Sequence, residues 1–380
     1  MKKVNIPFNK PSLIGNELKY IKEALARGKI SGDGFFTKKC QAFIEKKFGV
    51  KKALLTTSCT HALELAAILL DLKPGDEIIL PSFTFTSTAN AFVLRGAIPI
   101  FVDIRNDTLN IDENKIEEKI TKKTKAIVIV HYAGIACQMD KIMQIAKKHN
   151  LYLIEDAAQA IGAKYKNKYL GTIGTIGAYS FHETKNIYCG EGGVILLNDD
   201  TYIERAEIIR EKGTNRSKFL RGKINKYHWV DIGSSYVMSD QLAAFLYGQL
   251  EKTRSINLIR KKLYDTYFNN LLELKNKEYL QLPFIPSYAT PNYHTFYIIL
   301  NSSETREHLR MYLIKKGILA ISHYIPLHIS PMGKKYGYKK GDLPFTENLS
   351  EKILRFPLYY SLQKMEQTYI LNSIHKFFKL

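Results

Sequence analysis

From residue 53 to residue 200 the chain alternates short apolar runs with segments whose apolar positions recur every three or four residues. "ALLTT" (53–57) reads as a strand and "THALELAAILLDL" (60–72) as a helix with one apolar face. The same pattern predicts strands over "DEIILP" (76–81), "IPIFVDI" (98–104), "KAIVIVHYAG" (125–134) and "LYLIEDAA" (151–158). Helices are predicted over "TSTANAFVLRG" (86–96), "NKIEEKITKK" (114–123) and "QMDKIMQIAKKHN" (138–150). Wholly apolar strands separated by amphipathic helices indicate an α/β fold, a mainly parallel sheet covered on both faces. Ligand chemistry in such a fold belongs at the carboxyl ends of the strands. The polar residues of "TTSCT", "PSFTFTST", "HYAG" and "EDAAQ" all fall there.

From Ser239 to Lys275 the pattern is helical without a strong breaker, as expected of a helix linking a large domain to a smaller one. The remainder, with "HTFYIIL", "TREHLRMYLIKKG" and a final amphipathic segment near "QTYILNSIHKFFK", reads as a smaller α+β domain. The expected division is a large domain over 1–250 and a small one over 251–380. "GTIGTIG" at 171–177 is too short an echo to signal a repeat architecture.

Composition narrows the class. No apolar run reaches the roughly 18–20 residues needed to cross a bilayer, and the basic N-terminus has no apolar signal core, so a cytoplasmic protein is expected, with no membrane partner. Cys40, Cys59, Cys137 and Cys189 form no CxxC pair, so neither a metal site nor a disulfide framework is expected. The formal net charge of +20 raises nucleic-acid binding as a class. The lysines are scattered along the whole length, however, with no zinc finger and no basic stripe. A positive field that favours an anionic small substrate fits better.

Several strand-end residues match the needs of a phosphorylated aromatic aldehyde cofactor, which takes a lysine amine, an acid beside its ring nitrogen, donors for its phosphate and a flat group on its ring. Asp156 closes the strand "LYLIED" and is either a helix cap or the partner of a ring N–H. Gln159 follows one turn later and could reach a ring hydroxyl. Ser58, Cys59 and Thr60 sit where a strand hands over to a helix, a place for an ordinary N-cap or for a phosphate. Phe85 could lie against the ring or belong to the core. Ser180 could add a hydroxyl to the phosphate.

Taken in order, the hydroxyl loop, the aromatic loop, "EDAAQ" and "SFHETKN" with "GEGG" behind it resemble the sugar aminotransferases of the DegT/DnrJ/StrS family. The resemblance runs from "IPFNKP" and "SGDGFFT" to "HYIPLH" and "LRFPLYY". "HYAG", "SFHETKN", "REKGTNRS" and "DIGSSYVMSD" resemble the subgroup of dTDP-4-amino-4,6-dideoxygalactose transaminases. The resemblance implies the fold of type I pyridoxal-phosphate aminotransferases, and pyridoxal 5'-phosphate carried on Lys185. It also implies a ping-pong exchange between L-glutamate and a dTDP-linked 4-keto-6-deoxy sugar, in a homodimer. Lys185 would be both cofactor anchor and proton shuttle. Family members that dehydrate sugars carry histidine at this position, so lysine favours transamination. Where many members have "GYNYRM" this chain has "GSSYVM": Ser235 can still donate to the cofactor phosphate of a partner subunit, and Val237 cannot. His323, Tyr324 and His328 of "SHYIPLH" are expected near the mouth of the site. The alternatives are an aminotransferase for another keto sugar (3-keto, or giving the gluco epimer) and a non-catalytic regulatory member.

Overall fold

The computed structural model describes residues 5–379. Two helices, α1 (Glu17–Ala26) and α2 (Phe35–Phe48), precede the alternating region. The start of α2 is satisfied from far along the chain: Asp240 accepts from the Phe36 and Thr37 amides (3.2 and 2.7 Å) and from the Thr37 hydroxyl (2.8 Å).

The alternating region follows as β1 (Lys52–Thr56), α3 (Cys59–Leu69), β2 (Glu77–Pro81), α4 (Thr86–Val93), β3 (Ile98–Val102), β4 (Thr124–Val130), α5 (Met139–Lys148) and β5 (Tyr152–Asp156). A two-residue hairpin, β6 (Lys164–Tyr165) and β7 (Lys168–Tyr169), leads into β8 (Ile176–Ser180) and β9 (Gly193–Leu197). The seven-stranded sheet runs β1-β9-β8-β5-β4-β2-β3. Only β9 is antiparallel to its neighbours. Buried Ile, Leu, Val and Ala on both faces of the sheet pack against α2, α3, α5 and the later helix α8 (Asp240–Leu250), which explains why these strands lack polar alternation.

Two expectations are corrected. The segment 114–123 is not a helix but one 3₁₀ turn, Glu117–Lys119. Its threonines bond the local backbone instead: Thr121 Oγ1 accepts from the Lys123 amide, and Thr124 Oγ1 from the Thr121 amide (3.0 and 2.9 Å). The long helix over 239–275 is two helices, α8 and α9 (Thr253–Asn276). The Thr253 hydroxyl takes the Leu250 carbonyl at 2.6 Å, and the helical ladder restarts there.

Between these helices and the sheet lie α6 (Ile203–Arg210) and α7 (Arg216–Leu220). Beyond α9 come β10 (Leu280–Gln281), β11 (Ala289–Thr290), β12 (Phe296–Leu300), α10 (Ser303–Lys315), α11 (Pro331–Lys335), α12 (Pro344–Lys352), β13 (Ile353–Phe356) and α13 (Lys364–Lys379). β10, β12 and β13 form a second, antiparallel sheet, while β11 extends the β6–β7 hairpin. The second sheet has its own core, in which Tyr267 of α9 stacks on Phe296 at 5.0 Å, and Ile6 joins it from the N-terminus. Asp103, just after β3, caps α12 through the Thr346 amide and hydroxyl (2.8 and 2.7 Å), tying the two sheets' regions together. Among the described residues no helix is long and apolar enough to cross a membrane.

Candidate active site

A cavity of about 600 Å³ opens at the carboxyl ends of the parallel strands, where segments following β1, β2, β5 and β8 meet β13. Lys185 lies in its wall, five residues after β8 ends. The loop carrying it is pinned at its base: Phe181 donates to the Gly192 carbonyl (2.8 Å), Cys189 to the Phe181 carbonyl (2.9 Å) and Glu183 to the Gly190 carbonyl (2.9 Å). The glycines of "GEGG" have separate reasons. Gly190 has φ +90°, and a Cβ on Gly193 would lie 2.3 Å from Ser58 C and 2.4 Å from Cys59 N. β9 can therefore press against the start of α3 only as glycine. Burial pulls the Lys185 amine below its ordinary pKa, Cys59 and Asp156 oppose that shift, and the positive charge of Arg355 adds to it.

Asp156 is the last residue of β5, buried, and faces the same cavity. Its Oδ2 accepts from Thr88 Oγ1 at 2.7 Å and its Oδ1 from the Ala158 amide at 3.1 Å. Since Thr88 gives its proton to Asp156, it accepts from Thr84 Oγ1, also 2.7 Å away. Burial pushes the carboxyl above its ordinary pKa, against the pull of those two bonds and of Lys185. On the opposite face of the strand Glu155 accepts from His131 Nε2 (2.9 Å) and from the Gly171, Ile173 and Gly174 amides (2.7, 2.6 and 2.6 Å). The "GTIGTIG" segment thus wraps a buried carboxylate.

Cys59 and Thr60 open α3 on the cavity wall. Ser58 caps the helix by accepting from the His61 amide at 3.1 Å, which leaves the Cys59 and Thr60 amides without a partner among the described residues. Ser180, the last residue of β8, lines the same cavity, as does Phe85, which is 58% exposed. Gln159 is buried: its Oε1 accepts from the Ala133 amide (2.7 Å) and its Nε2 donates to the Tyr324 hydroxyl (3.0 Å). His323 stacks on Tyr324, and its Nδ1 lies 2.9 Å from the Tyr132 hydroxyl. Burial, with Arg355 nearby, drives the His323 pKa well below its ordinary value.

The structure therefore brings together Lys185, Asp156, Gln159, Cys59, Thr60, Phe85, Ser180, His323 and Tyr324. His328 is not at the mouth. It is fully buried, with Nδ1 2.7 Å from Ser82 Oγ and Nε2 2.9 Å from Glu347, where it braces the chain between β2 and α12. The 3₁₀ turn Leu327–Ile329 that carries it packs against α11, with Leu327 buried beside it. Ser235 is exposed and lies outside this cavity, bridged to Glu211.

Sequence reasoning missed three wall residues, Arg260, His294 and Arg355, and Thr88, which is buried behind the wall on Asp156. Arg260 donates to the Tyr293 and His294 carbonyls, and burial pulls its pKa down to about 9. His294 Nδ1 lies 2.9 Å from Asn186 Oδ1, and Asn186 Nδ2 donates to the Asn292 carbonyl at 2.8 Å. Asn186 follows Lys185 directly, so the lysine segment is bonded to the chain just ahead of β12.

Comparison with known proteins places this geometry. The chain is 34% identical to GDP-perosamine synthase of Escherichia coli O157:H7, over 98% of each chain. It is 35% identical to the pleiotropic regulatory protein of Geobacillus stearothermophilus, over 91% of this chain and 90% of the other. Its structure superposes on Spr1654 of Streptococcus pneumoniae in the PLP form with a TM-score of 0.91 at 26% identity, over 99% of each chain. Residues 11–375 match the DegT/DnrJ/EryC1/StrS aminotransferase family, and the chain belongs to that family.

Proposed function

We propose that the protein transfers an amino group from L-glutamate to the 4-keto carbon of dTDP-4-keto-6-deoxy-D-glucose. The product would be dTDP-4-amino-4,6-dideoxy-D-galactose for cell-surface glycan synthesis. The observation that carries the chemistry is a lysine amine and a buried carboxylate in one cavity, facing free amides at a helix start.

The cavity fits pyridoxal 5'-phosphate on its own terms. The amides of Cys59 and Thr60, with the Ser180 hydroxyl, suit a phosphate. Asp156 is a costly buried anion whose charge a ring N–H⁺ would relieve, and Gln159 has a second amide proton to give a ring oxygen. Phe85 is open enough to lie against a flat ring. Among the described residues nothing hydrogen-bonds the Lys185 amine. When bound, the cofactor supplies an electron sink and a carrier for the amino group.

The protein's own residues do the rest. Lys185, with its pKa depressed, is more often neutral than a surface lysine, so it can take a proton from carbon and return it. Attached to one side of the cavity, it delivers that proton to one face, which sets the configuration of the new amine. Thr88 holds Asp156 in place, and the Asn186–His294 bond holds the lysine segment. His323 and Tyr324 form the wall against which the sugar would lie. A second copy of the chain is supported by the exposed Trp229, Val230 and Ile232 (79%, 52% and 43%) beside Ser235.

The stretches "HYAG", "SFHETKN", "REKGTNRS" and "DIGSSYVMSD" support the dTDP-linked sugar. A GDP-linked sugar is the second reading, favoured by the relative named GDP-perosamine synthase. A purely regulatory role has the name of the Geobacillus relative behind it, but the complete set of Lys185, Asp156 and Thr88 speaks for turnover. The test is to supply holoenzyme and L-glutamate with dTDP- or GDP-linked 4-keto-6-deoxyhexose and determine the aminosugar by NMR. A dTDP-linked 4-amino product of galacto configuration is expected. Amination of the GDP sugar alone would overturn the choice of nucleotide.

A further inference from the structure

We infer that Arg260, together with the Thr295 hydroxyl, receives the side-chain carboxylate of the amino-acid donor, so that the site selects a dicarboxylic donor. This rests on the aminotransferase reading above and adds to it the group that tells L-glutamate from an amino acid with an uncharged side chain.

Arg260 stands on α9 at helical spacing from Ile256, Leu263 and Tyr264, and so on the face that the helix buries. It is 4% exposed and lies in the wall of the cavity. Its bonds go to neutral partners: Nε donates to the Tyr293 carbonyl at 3.0 Å and Nη2 to the His294 carbonyl. These bonds aim the guanidinium without balancing its charge. Among the described residues no carboxylate pairs with it, and its Nη1 makes no bond. A buried guanidinium without a counter-charge is costly until an anion meets it.

Thr295 is an independent observation of the same kind. It is 4% exposed, lines the same cavity, and its Oγ1 is buried without a partner. It directly follows His294, whose carbonyl Arg260 holds. An unspent hydroxyl proton and the free N–H groups of a guanidinium are donors, and a carboxylate is an acceptor only. Ile321, Phe356 and Leu358 line the cavity too and offer apolar surface to a methylene chain.

The cavity receives other anions, and position separates them. The cofactor phosphate has the free amides at the start of α3. The diphosphate of the sugar nucleotide carries a nucleoside that must extend through the open side of the cavity, where Phe85 is exposed, whereas Arg260 is enclosed. Arg260 is tied to the lysine segment through His294, whose Nδ1 lies 2.9 Å from Asn186 Oδ1, next to Lys185. The charge of Arg260 bears on His294, while that of Arg355 bears on both His294 and Lys185. Arg260 is thus the arginine further from the reacting amine, set back as the far end of a donor side chain is from the carbon that loses its nitrogen.

The test uses holoenzyme in stopped flow, reading the loss of the visible cofactor band with L-glutamate and with L-norvaline, which has a methyl group in place of the side-chain carboxylate. Wild type is expected to react far better with L-glutamate. Arg260→Gln is expected to raise the L-glutamate concentration for half-maximal rate by about 10- to 100-fold, the loss of a charge-assisted bond, and to leave L-norvaline unchanged. Thr295→Val, which spares the bonds to the Tyr293 and His294 carbonyls, is expected to act in the same direction by about 5- to 10-fold. Saturation of the aminated form by the keto sugar should not change in either variant. An equal loss with both amino acids in Arg260→Gln would mark a purely structural clamp and overturn the assignment, as would a wild-type preference in both variants or a weakening of the keto-sugar half-reaction alone. Equal reactivity of wild type with the two amino acids would also overturn it, whether or not the variants fold. Failure of the cofactor reading shows separately, as wild-type protein with no visible band.

Discussion

Thr88 Oγ1 donates to Asp156 Oδ2 at 2.7 Å, joining the first turn of α4 to the carboxylate that ends β5. The bond is buried and works against the desolvation that raises the Asp156 pKa. Thr88→Val keeps the shape and removes the donor. It should leave the fold intact and weaken pyridoxal-phosphate binding by about 1–2 kcal/mol, or roughly 5- to 30-fold. Equilibrium dialysis of the apoprotein against the cofactor measures this.

The Lys185 amine should capture pyridoxal phosphate from solution in its neutral form. Because burial lowers its pKa, the capture rate of the apoprotein should rise with pH and level off below the ordinary lysine value of 10.5. Arg355 contributes to that lowering, so Arg355→Gln should move the midpoint upward. A rate profile against pH for both proteins checks the sign.

Gly193→Ala would drive a methyl group to within 2.3 Å of Ser58 C and 2.4 Å of Cys59 N, both backbone atoms that cannot turn aside. The start of α3 must shift. The expected cost is about 1–3 kcal/mol of stability together with weaker phosphate binding. Thermal unfolding and inorganic-phosphate protection of the apoprotein would show the two effects together.

His328 braces Ser82 and Glu347 and does not line the cavity. His328→Ala should therefore lower stability by about 1–3 kcal/mol and leave the KM for the sugar substrate unchanged. A changed KM at full stability would return this histidine to the site.

Much of the site could be read from the chain because its residues fall at strand ends, and alternating apolar runs mark strand ends clearly. Asp156, Ser180 and the Ser58–Thr60 turn are of this kind. His328 was misplaced because histidine spacing carries no sign of which way a turn faces. Arg260 is one basic residue among many on α9, and pattern alone cannot separate a buried cation from a solvated one. Arg355 was legible in principle, as a lone charge inside "ILRF". The failed helix at 114–123 has apolar spacing that suits a helix, but its threonines bond the local backbone, a competition that propensity does not reveal. Thr88 could not be found in the sequence, since its partner is 68 residues away.

The central claim is that Lys185 bonds to the cofactor. Lys185→Ala should lose the visible band, and turnover should fall by at least about 100-fold. The most direct measurement is reduction of the holoprotein with borohydride, followed by digestion and mass spectrometry. The account predicts the mass of reduced pyridoxal phosphate on the peptide containing Lys185 and on no other lysine. An unmodified Lys185 peptide from protein that holds the cofactor would contradict it.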